Sequence, residues 1–229
     1  MKTIGIIGGI SFESTITYYK LINEEIAKKL GGLNSAKIIL HSVNFKEIEK
    51  YQSQNLWDES AKILSLCAKK LENAGADFII IATNTMHKIY DDVQMQVKIP
   101  ILHIATSTAK ALQQANINQV GLIGTKYTMN ENFYKEKLLD QGIKTLIPCQ
   151  KDMQIVNEII FDELCRGIFK ESSKKTYLEI VDKLRQQGAL GIILACTEIG
   201  LLIKQEDTQI PLFDTSILHA LDAANQALS

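Results

Sequence analysis

Apolar positions along the chain fall into two alternating kinds of run. Short, nearly continuous β-branched runs occupy Thr3–Ile7, Lys37–Val43, Phe78–Ala82, Gln119–Ile123, Lys144–Ile147 and Gly191–Ala195, with two shorter ones following Pro100 and Pro211. Between them apolar residues recur three or four positions apart, as in Ser60–Leu71, where Leu64, Cys67, Ala68 and Leu71 share one face. This spacing predicts helices from Ser11 to about Lys29, over Ser60–Leu71, from near Thr85, and over Ser107–Ala115. Further helices are predicted over about Asn130–Leu139, Ile155–Ile168 and Lys175–Gln187, and from Thr215 onward. The polar stretch after Val43, running past Gln52 to Trp57, reads as a loop. Strands that are apolar throughout are buried on both faces, and their alternation with helices predicts an α/β fold with parallel sheets.

The pattern repeats. Leu71–Thr85 (LENAGADFIIIATNT) is echoed 113 positions later by Leu184–Glu198 (LRQQGALGIILACTE). Ile4–Gly8 resembles Val120–Gly124 at an offset of 116, and Ile99–His103 resembles Ile210–Asp214 at an offset of 111. Three landmarks in one order at nearly constant offset predict an internal duplication. Two similar α/β lobes are expected, residues 1–98 plus 210–229 and residues 99–209, with a C-terminal helix returning to the first. Ligands of open parallel sheets bind outside the carboxyl ends of the strands, so an active site is expected between the lobes. Within the long repeat, Thr83 and Cys196 occupy the same position just after a buried strand.

Composition narrows the class. The chain has 229 residues, 46% of them hydrophobic and 22% charged, with net charge −1. That balance suits a domain with a real core and supplies no basic field for nucleic acid or an anionic membrane. Charged runs such as Lys46–Lys50 are solvated faces. No apolar run approaches a membrane span and no cleavable signal is visible, so a soluble cytoplasmic protein is expected. Cys67, Cys149, Cys165 and Cys196 show no C-x-x-C spacing and read as free thiols.

Few residues are placed for chemistry. The glycines in GIIGGI do not fit a dinucleotide fingerprint. They suit either a tight strand-to-helix turn or a carboxylate held by the N–H groups of Gly9, Ile10 and Ser11 at a helix N-terminus. His41, His87, His103 and His219 lack metal-ligand spacing and read as hydrogen-bonded packing residues, so no metal is expected. Cys67 and Cys165 read as core thiols and Cys149 as a loop residue. Cys196 lies where a strand ends and a helix is expected, so helix amides are expected to lower its pKa. Asn84 and Thr85 match Thr197 and Glu198, giving two polar clusters suited to the carboxylate and amine of one small ligand.

GGISFEST, ATNTMHK, PILHIA, GTKYTM and ACTEIG, in this order across the whole chain, resemble the cofactor-independent aspartate/glutamate racemase family, and most of all its bacterial amino-acid racemase branch. The resemblance implies an acid/base pair, one residue from each lobe, at Thr83 and Cys196. The C-terminal Cys-Thr-Glu motif is intact, whereas Thr83 stands where Cys is usual, as it does in some members similar to this chain. It also implies substrate contacts at Ile10, Gln52, Thr125 and Arg166, the last suited by its bidentate fork to a distal carboxylate. No cofactor, an amino-acid substrate (aspartate or glutamate) and a homodimer are expected on the same ground. Two other functions fit the residues: a cysteine-nucleophile isomerase or lyase of a small dicarboxylate, and a non-catalytic amino-acid-binding protein.

Overall fold

The computed structural model describes every residue from Met1 to Ser229. Its strands are β1 (Ile4–Gly8), β2 (Ile38–Ser42), β3 (Phe78–Ile81), β4 (Ile101–Leu102), β5 (Gln119–Gly124), β6 (Lys144–Leu146), β7 (Gly191–Ala195) and β8 (Leu212–Asp214). The helices are α1 (Phe12–Leu30), α2 (Phe45–Ser53), α3 (Trp57–Asn73), α4 (Tyr90–Gln94), α5 (Ile104–Gln114), α6 (Lys126–Asn130), α7 (Asn132–Leu139), α8 (Gln150–Asp162), α9 (Glu171–Gln186), α10 (Ile199–Leu202) and α11 (Thr215–Leu228), with single 3-10 turns at Thr85–Ile89, Leu164–Arg166 and Gln205–Asp207. No helix is long and apolar enough to cross a membrane. The chain forms two compact units, Met1–Ile104 with His219–Ser229, and Ala105–Leu218. The cuts fall after Ile104 and before His219, not near 98 and 210, because β4 pairs with β3 and β8 pairs with β7.

In the first unit all four strands are parallel, in the order β2-β1-β3-β4. Successive residues of a strand point to opposite faces. Ile4 and Ile6 of β1, with Phe78 and Ile80 of β3, meet Tyr18, Ile22 and Ile26 of α1 and the alanine stripe Ala220, Ala223, Ala224 and Ala227 of α11. Each isoleucine so buried contributes about 1.5–3 kcal/mol. Helix α1 starts where Ser11 Oγ accepts the Ser14 N–H and stops at Gly31, whose φ is +72°. Glu13 in its first turn and Lys28 and Lys29 in its last complement the helix dipole.

The stretch read as a loop between Val43 and Trp57 contains a helix, α2. Asn44 caps it by accepting the Lys46 N–H, and only Ile48 and Gln52, four apart, are buried. One apolar residue per turn pair on a charged helix leaves too faint a periodicity to read.

The second unit repeats the layout, with parallel order β6-β5-β7-β8. Its core joins Ile123, Ile192 and Leu194 of the sheet to Val156, Ile160, Tyr177, Ile180, Val181 and Leu184 of α8 and α9. The helix expected over Ile155–Ile168 begins earlier, at Gln150, and ends at Asp162, after which Leu164–Arg166 form a 3-10 turn closed by left-handed Gly167.

Candidate active site

In the first unit, Ile7 pairs with Ile81, so Gly9–Ser11 and Thr83–Thr85 leave neighbouring strand ends on the same edge. The Ser14 hydroxyl, in the first turn of α1, donates to the Ala82 carbonyl at 3.1 Å and ties the two ends together. Gly9 has φ +85°, and a Cβ there would lie 2.2 Å from the Val43 carbonyl oxygen, so both conformation and space demand glycine. Its N–H donates to Thr15 Oγ1 at 2.8 Å, and that hydroxyl in turn donates to the Ser11 carbonyl.

Thr83 follows β3 in a tight turn, its N–H bonded to the Ile81 carbonyl two residues back at 2.8 Å. Thr83, Asn84 and Thr85 are all buried. The Asn84 carbonyl accepts the His87 N–H at 3.0 Å, which starts the 3-10 turn Thr85–Ile89. The His87 ring returns to Thr83: its Nδ1 lies 2.8 Å from the Thr83 carbonyl oxygen, and its Nε2 accepts the Ile104 N–H at 3.2 Å. Burial, with a smaller contribution from His219, lowers the His87 pKa to about 3.

In the second unit, Gly124 pairs with Ala195, which sets Thr125 beside Cys196. A Cβ at Gly124 would meet the Ala195 carbonyl oxygen at 2.6 Å, so glycine permits the close approach of the two strand ends. Thr125 caps α6 by accepting the Thr128 N–H at 3.4 Å. Cys196 and Glu198 are buried, and one Glu198 oxygen, Oε2, accepts from the Cys196 thiol at 3.1 Å and from the Thr197 hydroxyl at 2.7 Å. Burial and the Glu198 carboxylate push the Cys196 pKa well above the ordinary thiol range. Half-buried Cys165 packs against the core that holds Cys196, and burial and Glu198 raise its pKa too. No three His, Cys, Asp or Glu side chains are grouped so as to hold a metal ion.

The family model described as Asp/Glu/hydantoin racemase matches residues 7–223. The chain belongs to this racemase family. It is 26% identical over 216 residues to the broad specificity amino-acid racemase of Bacillus subtilis (strain 168), covering 93% of this chain and 92% of that one. A Yersinia pestis protein proposed to be an Asp/Glu racemase superposes with a TM-score of 0.93 at 47% identity, and an aspartate racemase homologue from Pyrococcus horikoshii OT3 with 0.86 at 37%, each over 100% of both chains. Glutamate racemase from Francisella tularensis, at 20% identity and a TM-score of 0.68 over 99% of this chain and 81% of that one, shares the fold.

In this racemase-family chain the residues singled out in the sequence fall into two local groups and two outliers. Gly9, Ile10, Ser11, Thr83, Asn84 and Thr85 gather at the strand ends of the first unit, and Thr125, Cys196, Thr197 and Glu198 at those of the second. Gln52 is buried in the last turn of α2. Arg166 is exposed on the 3-10 turn after α8, with Asp162 at 3.8 Å. The expectation that Gly9 offers its N–H to a carboxylate is corrected, because Thr15 takes that donor. The expected lowering of the Cys196 pKa is also corrected. Helix α10 begins three residues later and is four residues long, too little to offset burial beside a carboxylate. His87, expected as a hydrogen-bonded packing residue, bonds the Thr83 carbonyl; the signal in the sequence is its place four residues after Thr83, where a turn folds side chain i+4 over carbonyl i.

Proposed function

We propose that the protein racemises an amino acid, aspartate or glutamate, without pyridoxal phosphate, using Cys196 and Thr83 as the acid/base pair on opposite faces of one α-carbon. The observation that carries this reading is the hydrogen bond from the Cys196 thiol to Glu198. A buried thiol with a raised pKa rests protonated and cannot act as a base unless its proton has somewhere to go. Glu198 Oε2 already accepts that proton's hydrogen bond. As substrate binds, the thiol proton passes to Glu198 and the thiolate removes the α-proton from one face. The Thr83 hydroxyl protonates the other face; as product leaves, Thr83 takes a proton from solvent and Glu198 releases the one it received from the thiol. One proton is removed and one returned, so the net change is inversion. Asn84, Thr85, Thr125 and Thr197, with Ile10 and Gln52, contact the substrate and offset charge growing on its carboxylate. Arg166 binds a distal carboxylate only if its side chain turns away from Asp162.

Incubation with each L-amino acid in deuterated water, following loss of the α-proton signal by NMR, tests the reading. Exchange and inversion are expected for aspartate or glutamate without added cofactor. A covalent Cys196 adduct that survives denaturation would replace racemisation with nucleophilic catalysis, and binding without any exchange would replace it with a sensor role.

A further inference from the structure

The chain leaves the first unit between Ile104 and Ala105 and re-enters it between Leu218 and His219. An imidazole stands at each crossing. At the exit, the Ile104 N–H donates to His87 Nε2 at 3.2 Å, while His87 Nδ1 lies 2.8 Å from the Thr83 carbonyl oxygen. A carbonyl can only accept, so Nδ1 carries the proton, and Nε2 keeps the lone pair that Ile104 needs. Both bonds assign the same neutral tautomer. At the return, His219 Nε2 donates to the Leu102 carbonyl at 3.0 Å, leaving Nδ1 to accept from the Tyr18 hydroxyl at 3.0 Å. The His87 and His219 ring centroids are 6.0 Å apart. His87 thus joins Thr83 to Ile104, and His219 joins Tyr18 to Leu102, inside the first unit.

We propose that His87 is the positioning residue for Thr83: its imidazole fixes the turn carrying the Thr83 hydroxyl and ties that turn to Ile104, where the chain departs for the second unit. This rests on the reading of Thr83 as the proton donor to one substrate face. The sheet register ends at Ile81, so the ladder does not hold the Thr83 carbonyl. The peptide before it is held by the Thr83 N–H to Ile81 and by the Ser14 hydroxyl on the Ala82 carbonyl, and His87 takes the Thr83 carbonyl itself. Proton transfer depends on donor position, and a misplacement of about 1 Å can cost about 100-fold in rate. A ring that merely filled space, stacked at 6.3 Å on Tyr90 and tilted at 4.5 Å against His103, would need neither nitrogen.

The two arms can be separated by substitution. An Asn amide nitrogen falls near the place of Nδ1 and can still donate to Thr83; a Gln amide falls near Nε2 and can still accept from Ile104. Wild type, His87→Asn and His87→Gln are incubated with L-aspartate and L-glutamate in deuterated water, and α-deuteration with retention is measured separately from inversion. Where Cys196 faces the α-hydrogen of the L-enantiomer and so carries deuteration at retained configuration, His87→Gln is expected to lose inversion by about tenfold or more, with that deuteration changing less than about threefold. His87→Asn is expected to keep more inversion than His87→Gln. Loss of both activities in proportion, or wild-type inversion in His87→Gln, overturns the proposal. A wild type that exchanges no amino acid refutes the racemase reading instead. The tie is then read from amide hydrogen exchange, with Ile104 less protected in His87→Asn than in His87→Gln; equal protection in both overturns it.

Discussion

The Cys196 thiol and the Glu198 carboxylate share a hydrogen bond of 3.1 Å in a buried setting, and the same carboxylate oxygen holds the Thr197 hydroxyl. A negative charge this close disfavours the thiolate at rest, yet it supplies the acceptor the thiol needs when a substrate arrives. Glu198→Gln separates the two effects. It removes the charge, so the midpoint for thiolate formation, followed by ultraviolet absorbance against pH, is expected to shift downward from wild type. Racemisation is expected to fall by about 100-fold, within the range general acid–base groups contribute. An unmoved midpoint would mean that burial alone sets the thiol.

Removing the thiol itself tests the assignment of the base. Cys196→Ala is expected to reduce α-proton exchange by at least about 1000-fold while sparing the fold, because little volume is lost. Cys67→Ser and Cys149→Ser are expected to remain active, the first residue buried in the first unit and the second exposed at the start of α8. Near-normal exchange in Cys196→Ala, measured by NMR in deuterated water, rules out the proposed mechanism.

How much of this was readable beforehand depended on burial. The strands β3 and β7 announced themselves because both their faces are covered, leaving FIII and GIILA apolar throughout. The repeat then aligned Thr83 with Cys196. Helix α2 was invisible because Ile48 and Gln52 are its only buried residues. The chemistry was less legible than the fold. Sequence alone places a helix start near Cys196 but cannot say that the helix lasts one turn, that the thiol is buried, or that Glu198 folds back onto it. Gly9 similarly looked like an open donor until Thr15, six residues on, occupied its N–H.

Thr83 and Cys196 should differ in how they exchange protons. A threonine hydroxyl does not ionise near neutrality, whereas the Cys196 thiol is hydrogen-bonded to a carboxylate with which it can trade its proton. Because the enantiomers have equal free energy, kcat/KM must be equal in both directions. If Cys196 faces the α-hydrogen of the L-enantiomer, L-substrate in deuterated water gains α-deuterium without inverting, and D-substrate does so far less. Thr83→Cys is expected to make the two exchange ratios more alike. Equal exchange without inversion from both enantiomers in the wild type contradicts these roles.

Acid should destabilise the fold through the buried imidazoles of the first unit. Burial lowers the pKa of both His87 and His219 to about 3 in the folded protein, from 6.5. Below pH 6.5 the unfolded chain therefore binds protons that the folded chain refuses until about pH 3. The stabilisation is complete above 6.5 and is lost as pH falls toward 3, at up to about 1.4 kcal/mol per pH unit for each histidine. At pH 4.5 the unfolded chain holds both protons that the folded chain still refuses, and the loss is set against a stability of about 5–15 kcal/mol for an ordinary domain. Asp214, whose burial raises its carboxyl pKa, acts in the opposite sense and offsets part of the loss. The comparison of slopes isolates the histidines from it. Urea unfolding of wild type and His219→Gln at a series of pH values between 6 and 4.5 is expected to show a shallower decline in the variant, by about one proton's worth, even if its stability at pH 7 is lower. Parallel slopes would show that His219 is not held neutral in the fold.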